Sequence, residues 1–344
     1  MGMPWVSCGD YETEGSLGAT LRYLARDVSM VHVGPRAGNI LVVHLADLDL
    51  EADGVISGPP CPPFSSFGRR LVEIDPRSSV FLQVAQWIVH LARFGRLSFW
   101  IIENVCGIRK RKMGHEHSFA DWFVEGMKSE MPDGWEVQTV EHNSIDCCVP
   151  QSRPRVFMIG TSGAMRASPR QRRILAAPRV RSPPVDIASF LDPIESPGDW
   201  DVLTTRQQIN LMEYLDSFQS SLEPGSLYAI VDVERDGSFA TGRIRAVRRV
   251  ESTYSIGFVR TLRTNMSRLW VLPRGQAVHI IGNVGRLLSK DERCRVAGVV
   301  PSPLTCLTNA DVHKAIGNTI PVPLIGTVMY PVLRAWIEMQ KASP

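Results

Sequence analysis

Over the first 160 residues, apolar positions fall into two alternating kinds of pattern. Runs of strand length occur at 5–8, at 40–45 (Ile-Leu-Val-Val-His-Leu), at 53–57 and at 98–105 (Ser-Phe-Trp-Ile-Ile-Glu-Asn-Val), and residues 135–140 and 155–160 read as two more. Between them the period lengthens to that of a helix. Leu17, Leu21 and Leu24 share one face over 16–26. Val80, Phe81, Val84, Trp87, Ile88, Leu91 and Phe94 recur at three and four after a cap at Ser78 or Ser79, and a third helix is expected near 119–130. Such alternation predicts an α/β fold with a doubly wound, mostly parallel sheet covered on both faces.

From Thr161 the pattern changes. Arg, Pro and Ser dominate, the recognisable elements are short and irregular, and regularity returns only at 286–293, as a capped helix start, and at 315–324, which opens an apolar helix to about 339. Two domains are expected: 1–160 with 305–344, and a smaller, loop-rich one over 161–304.

Composition narrows the class. A hydrophobic share of 44% in 344 residues excludes a disordered or fibrous chain. No run of about 18 apolar residues occurs and the N-terminus lacks the pattern of a signal peptide, so a soluble, intracellular protein without membrane contact is expected. The seven cysteines are scattered without a CxxC pair, which argues for reduced thiols. A formal net charge of +3 is small, but its distribution is not even. Residues 161–185 hold six arginines and no acid; 241–276 hold eight, against the single acid Glu251. Clustered arginine suits phosphate, and nucleic acid is the expected partner.

The candidate chemistry lies at strand ends, where ligands bind in open parallel sheets. Cys61 follows the strand at 53–57 inside Gly-Pro-Pro-Cys-Pro-Pro-Phe-Ser, and its flanking prolines restrict the backbone. Glu103 closes the next buried strand, while Gln151-Ser152-Arg153-Pro154-Arg155 opens another. A thiol, a carboxylate and guanidinium groups are thereby expected to converge on one crevice. His115-Glu116-His117 lacks a third ligand, so no metal site is expected. Zinc-dependent deamination needs P-C-x-x-C, and Phe64 stands where the second Cys should be.

In their order along the chain these pieces resemble the cytosine-5 DNA methyltransferase family. The matching blocks are GPPCPPFS, ENV at 103–105, QSRPRVFMIG at 151–160, RLLSKDERCRVAG at 286–298 and AIGNTIPVPL at 315–324, with a variable basic insert between the third and fourth. The resemblance implies a class I methyltransferase fold and transfer of a methyl group from S-adenosylmethionine to carbon 5 of a cytosine flipped out of DNA. It implies Cys61 as the nucleophile that adds to carbon 6, Glu103 as the carboxylate on ring nitrogen 3 and the exocyclic amine, and Arg155 with Arg153 as the guanidinium pair at the base carbonyl. The insert would be the target-recognition domain.

For the cofactor, the resemblance assigns Asp10 to the ribose hydroxyls and Asp47, with Leu48 beside it, to the adenine side. Pro60, ahead of Cys61, lines the pocket, and Asn318 closes its methionine side. Two departures stand out. No FxGxG loop precedes Trp5, so the sequence starts at what should be the second strand, and Pro62 takes the place of the usual Gln after the nucleophile. The chain by itself is therefore expected to bind DNA with little methyl transfer, which an N-terminal extension would restore. A DNA-binding homologue without catalysis, and a cytosine-5 enzyme acting on RNA such as transfer RNA, are the alternative readings. In a eukaryote the nucleus is the expected location.

Overall fold

The computed structural model describes residues 10–12, 31–33, 41, 43–48, 50–61, 64, 78–111, 116–176, 182–183, 185–193, 200–219, 228–234, 254–256, 259–260, 262, 268–273, 285–299 and 308–342. The strand expected at 5–8, the helix expected at 16–26, and Arg179, Arg181, Arg243, Arg245, Arg248, Arg249, Arg263 and Arg274 lie outside them. The chain forms two compact units. The first holds 1–143, 154–180 and 325–344, the second 144–153 and 181–324, against an expected divide at 160/161 and 304/305.

In the first unit β1 (Asp10–Glu12) pairs in parallel with β2 (Val31–Val33). The run at 40–45 is not the expected strand. Leu41 is 43% exposed, and the chain turns in a short 3-10 segment over Leu45–Asp47. A short apolar run without alternation does not distinguish strand from turn. The order then continues with β3 (Gly54–Ser57), α1 (Ser78–Phe94), β4 (Phe99–Val105), α2 (Phe119–Glu130) and β5 (Glu136–Asn143). After β6 (Gln151–Ser152), which belongs to the second unit, come β7 (Pro154–Thr161) and α3 (Pro169–Ala176).

The main sheet has the order β3-β4-β7-β5. β3 and β4 are parallel, as the helical crossover through α1 requires, whereas β7 runs antiparallel to both its neighbours. The α/β class stands, and among the described residues the main sheet is mixed, β3 and β4 pairing in parallel and β7 antiparallel to its neighbours. β7 leaves β5 after a short connection and returns between β5 and β4. One consequence decides the site: the carboxyl ends of β3 and β4 and the amino end of β7 share an edge.

The core of this unit is built as the period predicts. α1 buries Phe81, Val84, Trp87, Ile88 and Leu91, while Phe94, expected on the same face, is 68% exposed at the helix end beside His90. α2 starts with a capping box of Ser118 and Asp121 and sends Phe123 against Phe81 and Trp100. The Trp100 indole lies directly over its cross-strand partner Gly160, where even a β-carbon would overlap it.

The second unit has more structure than its irregular sequence suggests. Beyond the helix α4 (Thr205–Gln219), the strands β8 (Tyr228–Asp232), β9 (Tyr254–Ile256), β11 (Leu269–Pro273) and β12 (Arg286–Leu287) form an antiparallel sheet, and the short β10 (Val259–Arg260) pairs with β6. Ala229-Ile230-Val231 and Trp270-Val271-Leu272 are buried on both faces, so these strands carry no polar alternation to betray them. Two helices follow, α5 (Lys290–Val296) and α6 (Asn309–Asn318). Last comes α7 (Val322–Ala342), in the first unit from Ile325 on. A window within 311–342 is apolar enough to cross a bilayer. The chain breaks at 319–321, however, and α7 buries Leu324, Val328, Val332 and Ala335 along one face, the pattern of a helix packed on protein.

A buried ion network organises this unit around α5. Glu292 is fully buried and accepts a bidentate pair from Arg286, at 2.6 Å each, together with the backbone N–H groups of Ser289 and Asp192. Burial raises the Glu292 pKa, but these donors outweigh it and leave the carboxyl below its ordinary value. Nearby, Arg293 meets His313 Nε2 at 2.7 Å, and burial with that cation pushes the ring down from 6.5 to about 4. Both groups make the unit acid-labile. Between pH 6.5 and about 4 the unfolded His313 takes up a proton that the folded ring refuses, so stability falls with pH across that window. Glu292 extends the loss below the ordinary carboxylate range, as its pair with Arg286 is protonated away. Urea unfolding at pH 7.5, 5.5 and 4.5 checks this: the midpoint drops over the series, and His313→Gln, which keeps an acceptor for Arg293, flattens the upper part.

Candidate active site

Cys61 leaves the carboxyl end of β3 on a loop fixed from both sides. Upstream, the Pro59 carbonyl accepts a hydrogen bond from Asn104 Nδ2 at 3.2 Å, and the Cys61 thiol lies 3.9 Å from the same carbonyl. Asn104 is fully buried, and its Oδ1 accepts from the Val105 N–H at 2.9 Å, so its amide is held at both ends. Downstream, the Phe64 N–H closes a turn onto the Cys61 carbonyl at 2.9 Å. The Phe64 ring enters the core, 4.7 Å from Phe119 and 6.0 Å from Phe81. The loop is pinned by the core on one side and by β4 on the other. Cys61 itself stays half-buried.

On the neighbouring strands Glu103 and Arg155 form a buried ion pair, Nε to Oε1 at 2.6 Å. The register explains it: Arg155 stands opposite Val105, so Glu103, two residues earlier on the same face, is its diagonal neighbour. Both are nearly sealed from solvent, with 5% and 6% exposure. Removing two charges from water is unfavourable unless geometry and further hydrogen bonds offset it. Part of that offset is the bond from Arg155 to the Pro154 carbonyl at 2.8 Å.

One thiol in this region is unsuited to nucleophilic work. Cys106, just past β4, is pushed up to about 11 by burial and then by Glu141, against the opposing influence of Arg155 and Arg109. It stays protonated at neutral pH.

The other expected residues are distributed as follows. Asp10 lies in β1 and Asp47 in the 3-10 turn, both with side chains outside the described residues. Leu48 is half-buried against the core of the first unit, and Pro60 is half-buried beside Cys61. Arg153 and Asn318 belong to the second unit, and Cys61, Glu103 and Arg155 to the first. Asn318 is exposed at the end of α6. Arg153 is buried and donates to the carbonyls of Leu262 at 2.9 Å and Gly317 at 2.6 Å, while its own N–H reaches Ser144 Oγ. Its bonds tie three segments of the second unit together. Arg153→Ala is expected to destabilise that unit by roughly 3 kcal/mol, two charge-assisted bonds being lost. Urea unfolding reads the difference, and an unchanged midpoint would sink the strut assignment.

The arginine-rich stretch after 161 also has internal partners. Arg166 pairs with Glu136, Arg170 reaches Glu338 at 3.1 Å, and Arg172 folds back onto the carbonyls of Arg166 and Ala167. Asn104 and Phe64 are the positioning groups that the sequence reading did not single out. For Asn104 the signal was an amide inside an otherwise apolar strand.

Residues 36–333 match the family of C-5 cytosine-specific DNA methylases. The chain belongs to this C-5 cytosine-specific methylase family. Among curated members, the type II methyltransferase M.DdeI of Desulfomicrobium norvegicum is 36% identical over 110 residues, 32% of this chain and 25% of that protein. M.NgoPII of Neisseria gonorrhoeae is 30% identical over 124 residues, 36% of this chain and 33% of its own length. The chain thus spans a quarter to a third of these two relatives. In fold, it resembles a DNMT2 variant of Spodoptera frugiperda, with a TM-score of 0.57 and 12% identity over 94% of this chain and 91% of the other. A methyltransferase structure from an E. coli prophage gives a TM-score of 0.53 at 15% identity over 96% and 100%.

Proposed function

We propose that the first unit methylates carbon 5 of cytosine in DNA, with Cys61 as nucleophile, Glu103 and Arg155 as the groups that hold and activate the base, and S-adenosylmethionine as methyl donor. The observation that carries this reading is the convergence of the Cys61 loop and the Glu103–Arg155 pair on one sheet edge, linked through Asn104 and Pro59. The chemistry needs all three groups. Carbon 5 of cytosine is a weak nucleophile until the Cys61 sulfur adds to carbon 6, which makes the ring an enamine. In this reading Glu103 binds the ring nitrogen and exocyclic amine as that charge shifts, and Arg155, paired with Glu103, offers donors to the base carbonyl. Once carbon 5 has gained the methyl group, its proton leaves and the sulfur–carbon bond breaks, returning the thiolate.

The cofactor supplies an electrophilic methyl when bound. Half-buried Leu48 and Pro60 offer apolar surface to a purine, and the family resemblance makes Asp10 and Asp47 the candidate acceptors for its hydroxyl and amine donors. The second unit would serve as the target-recognition domain, with Arg153 as its internal strut.

Transfer of labelled methyl from S-adenosylmethionine to a cytosine-containing duplex, with the product base identified, tests the proposal. Label on carbon 5 of cytosine supports it. Label on transfer RNA alone would move the substrate to RNA, and none on either would remove the catalytic reading for this chain.

A further inference from the structure

We propose that the turn after β4 is a phosphate-binding lip, at which Lys110 and Arg111 hold the backbone of the DNA strand whose base enters the Glu103 edge. The inference rests on the reading of that edge as the base-binding place and adds a second contact to it. β4 delivers Glu103, and within three residues the chain enters a tight 3-10 turn over Cys106–Arg109. Three features make the turn rigid. The Ile108 side chain is buried, the Lys110 N–H closes onto the Gly107 carbonyl at 3.1 Å, and Arg109 is anchored to Glu141 on β5 at 3.2 Å. Glu141 precedes His142, the register partner of Arg155, which fixes the turn at the same edge as the Glu103–Arg155 pair. The Cys106 thiol feels both Arg155 and Arg109, as groups on one small surface must.

Past this anchor, Lys110 and Arg111 are exposed, and among the described residues neither meets an acid at ion-pair distance. A charge run is most often a solvated face. Its place sets this one apart: Lys110 caps the turn and Arg111 follows it, at the edge that carries the candidate chemistry. Exposed cations beside a base-binding edge fit the phosphates that flank an extruded nucleotide, because a base leaving its stack brings its own backbone to the protein.

The test compares the full chain with its Lys110→Gln/Arg111→Gln double variant, using a short cytosine-containing DNA duplex as probe and titrating affinity over 50 to 200 mM salt. Removing two phosphate contacts lowers the slope of log affinity against log salt by about 1.8, so the affinity lost over this range shrinks about twelvefold. Thermal unfolding of both proteins serves as the folding control. An unchanged slope with an intact fold overturns the lip. So does a slope that falls on an RNA stem but not on DNA. A reduced slope in a chain that shows no methyl transfer supports the lip and counts against the catalytic reading, whereas methyl transfer with an unchanged slope does the reverse.

Discussion

Cys61→Ala is expected to abolish methyl transfer, by a factor on the order of 10⁴ to 10⁶, while leaving the protein folded. The two halves of that expectation have separate physical sources. The loss of turnover follows from the role of sulfur: without the addition at carbon 6 the cytosine ring has no route to its enamine. Cys106 is not a substitute, because burial and Glu141 push its thiol up to about 11 and keep it protonated. The retained fold follows from the loop's supports. Pro59 is held by Asn104 and the following turn by Phe64, and neither anchor uses the Cys61 side chain. With Cys61 half-buried, deletion of its sulfur costs about 1 kcal/mol or less. A duplex carrying cytosine fluorinated at carbon 5 gives a second readout. Its adduct has no proton to release, so the wild-type chain remains covalently attached under denaturing conditions and the Ala variant does not. Attachment by the Ala variant would place the nucleophile elsewhere.

The sequence exposed the parts of the site that depend on chemistry, and hid those that depend on packing. Proline on both sides of Cys61 and a glutamate ending an apolar strand are unusual enough to read directly. Their convergence also follows once β3 and β4 are parallel and β7 turns back between β4 and β5. The antiparallel course of β7 was not legible, since alternation along a strand is the same in either direction. In the second unit, β8 and β11 were invisible for the opposite reason: sheets buried on both faces lose the alternation that marks a strand, and so short an apolar run reads equally as part of a loop. Arg153 and Arg155 show the limit of residue spacing. They are two positions apart, yet one is bonded to carbonyls of the second unit and the other to a carboxylate of the first. Near α3 the sequence shows the cations but not the acids and carbonyls that the fold brings to Arg166, Arg170 and Arg172.

The Glu103–Arg155 pair should respond to substitution in a way that separates its two roles. Glu103→Gln keeps the shape of the side chain but leaves the Arg155 cation buried without its counter-charge, at 6% exposure. Breaking one side of a buried pair typically costs about 3 to 5 kcal/mol, so the first unit should unfold at lower urea. Loss of a positioned acid–base group should also lower methyl transfer by about 10² to 10⁴-fold. Arg155→Met, with its partner intact, should produce both effects again. The double variant distinguishes coupling from independent damage. With both charges gone, neither is stranded, so its urea midpoint should recover toward wild type, while turnover stays as low as in the single variants because the base has lost its polar contacts. Such non-additivity is the signature of two residues acting as one unit. Additive destabilisation in the double variant would mean the two charges are not coupled in the folded chain, and near-wild-type turnover in Glu103→Gln would remove Glu103 from the chemistry altogether.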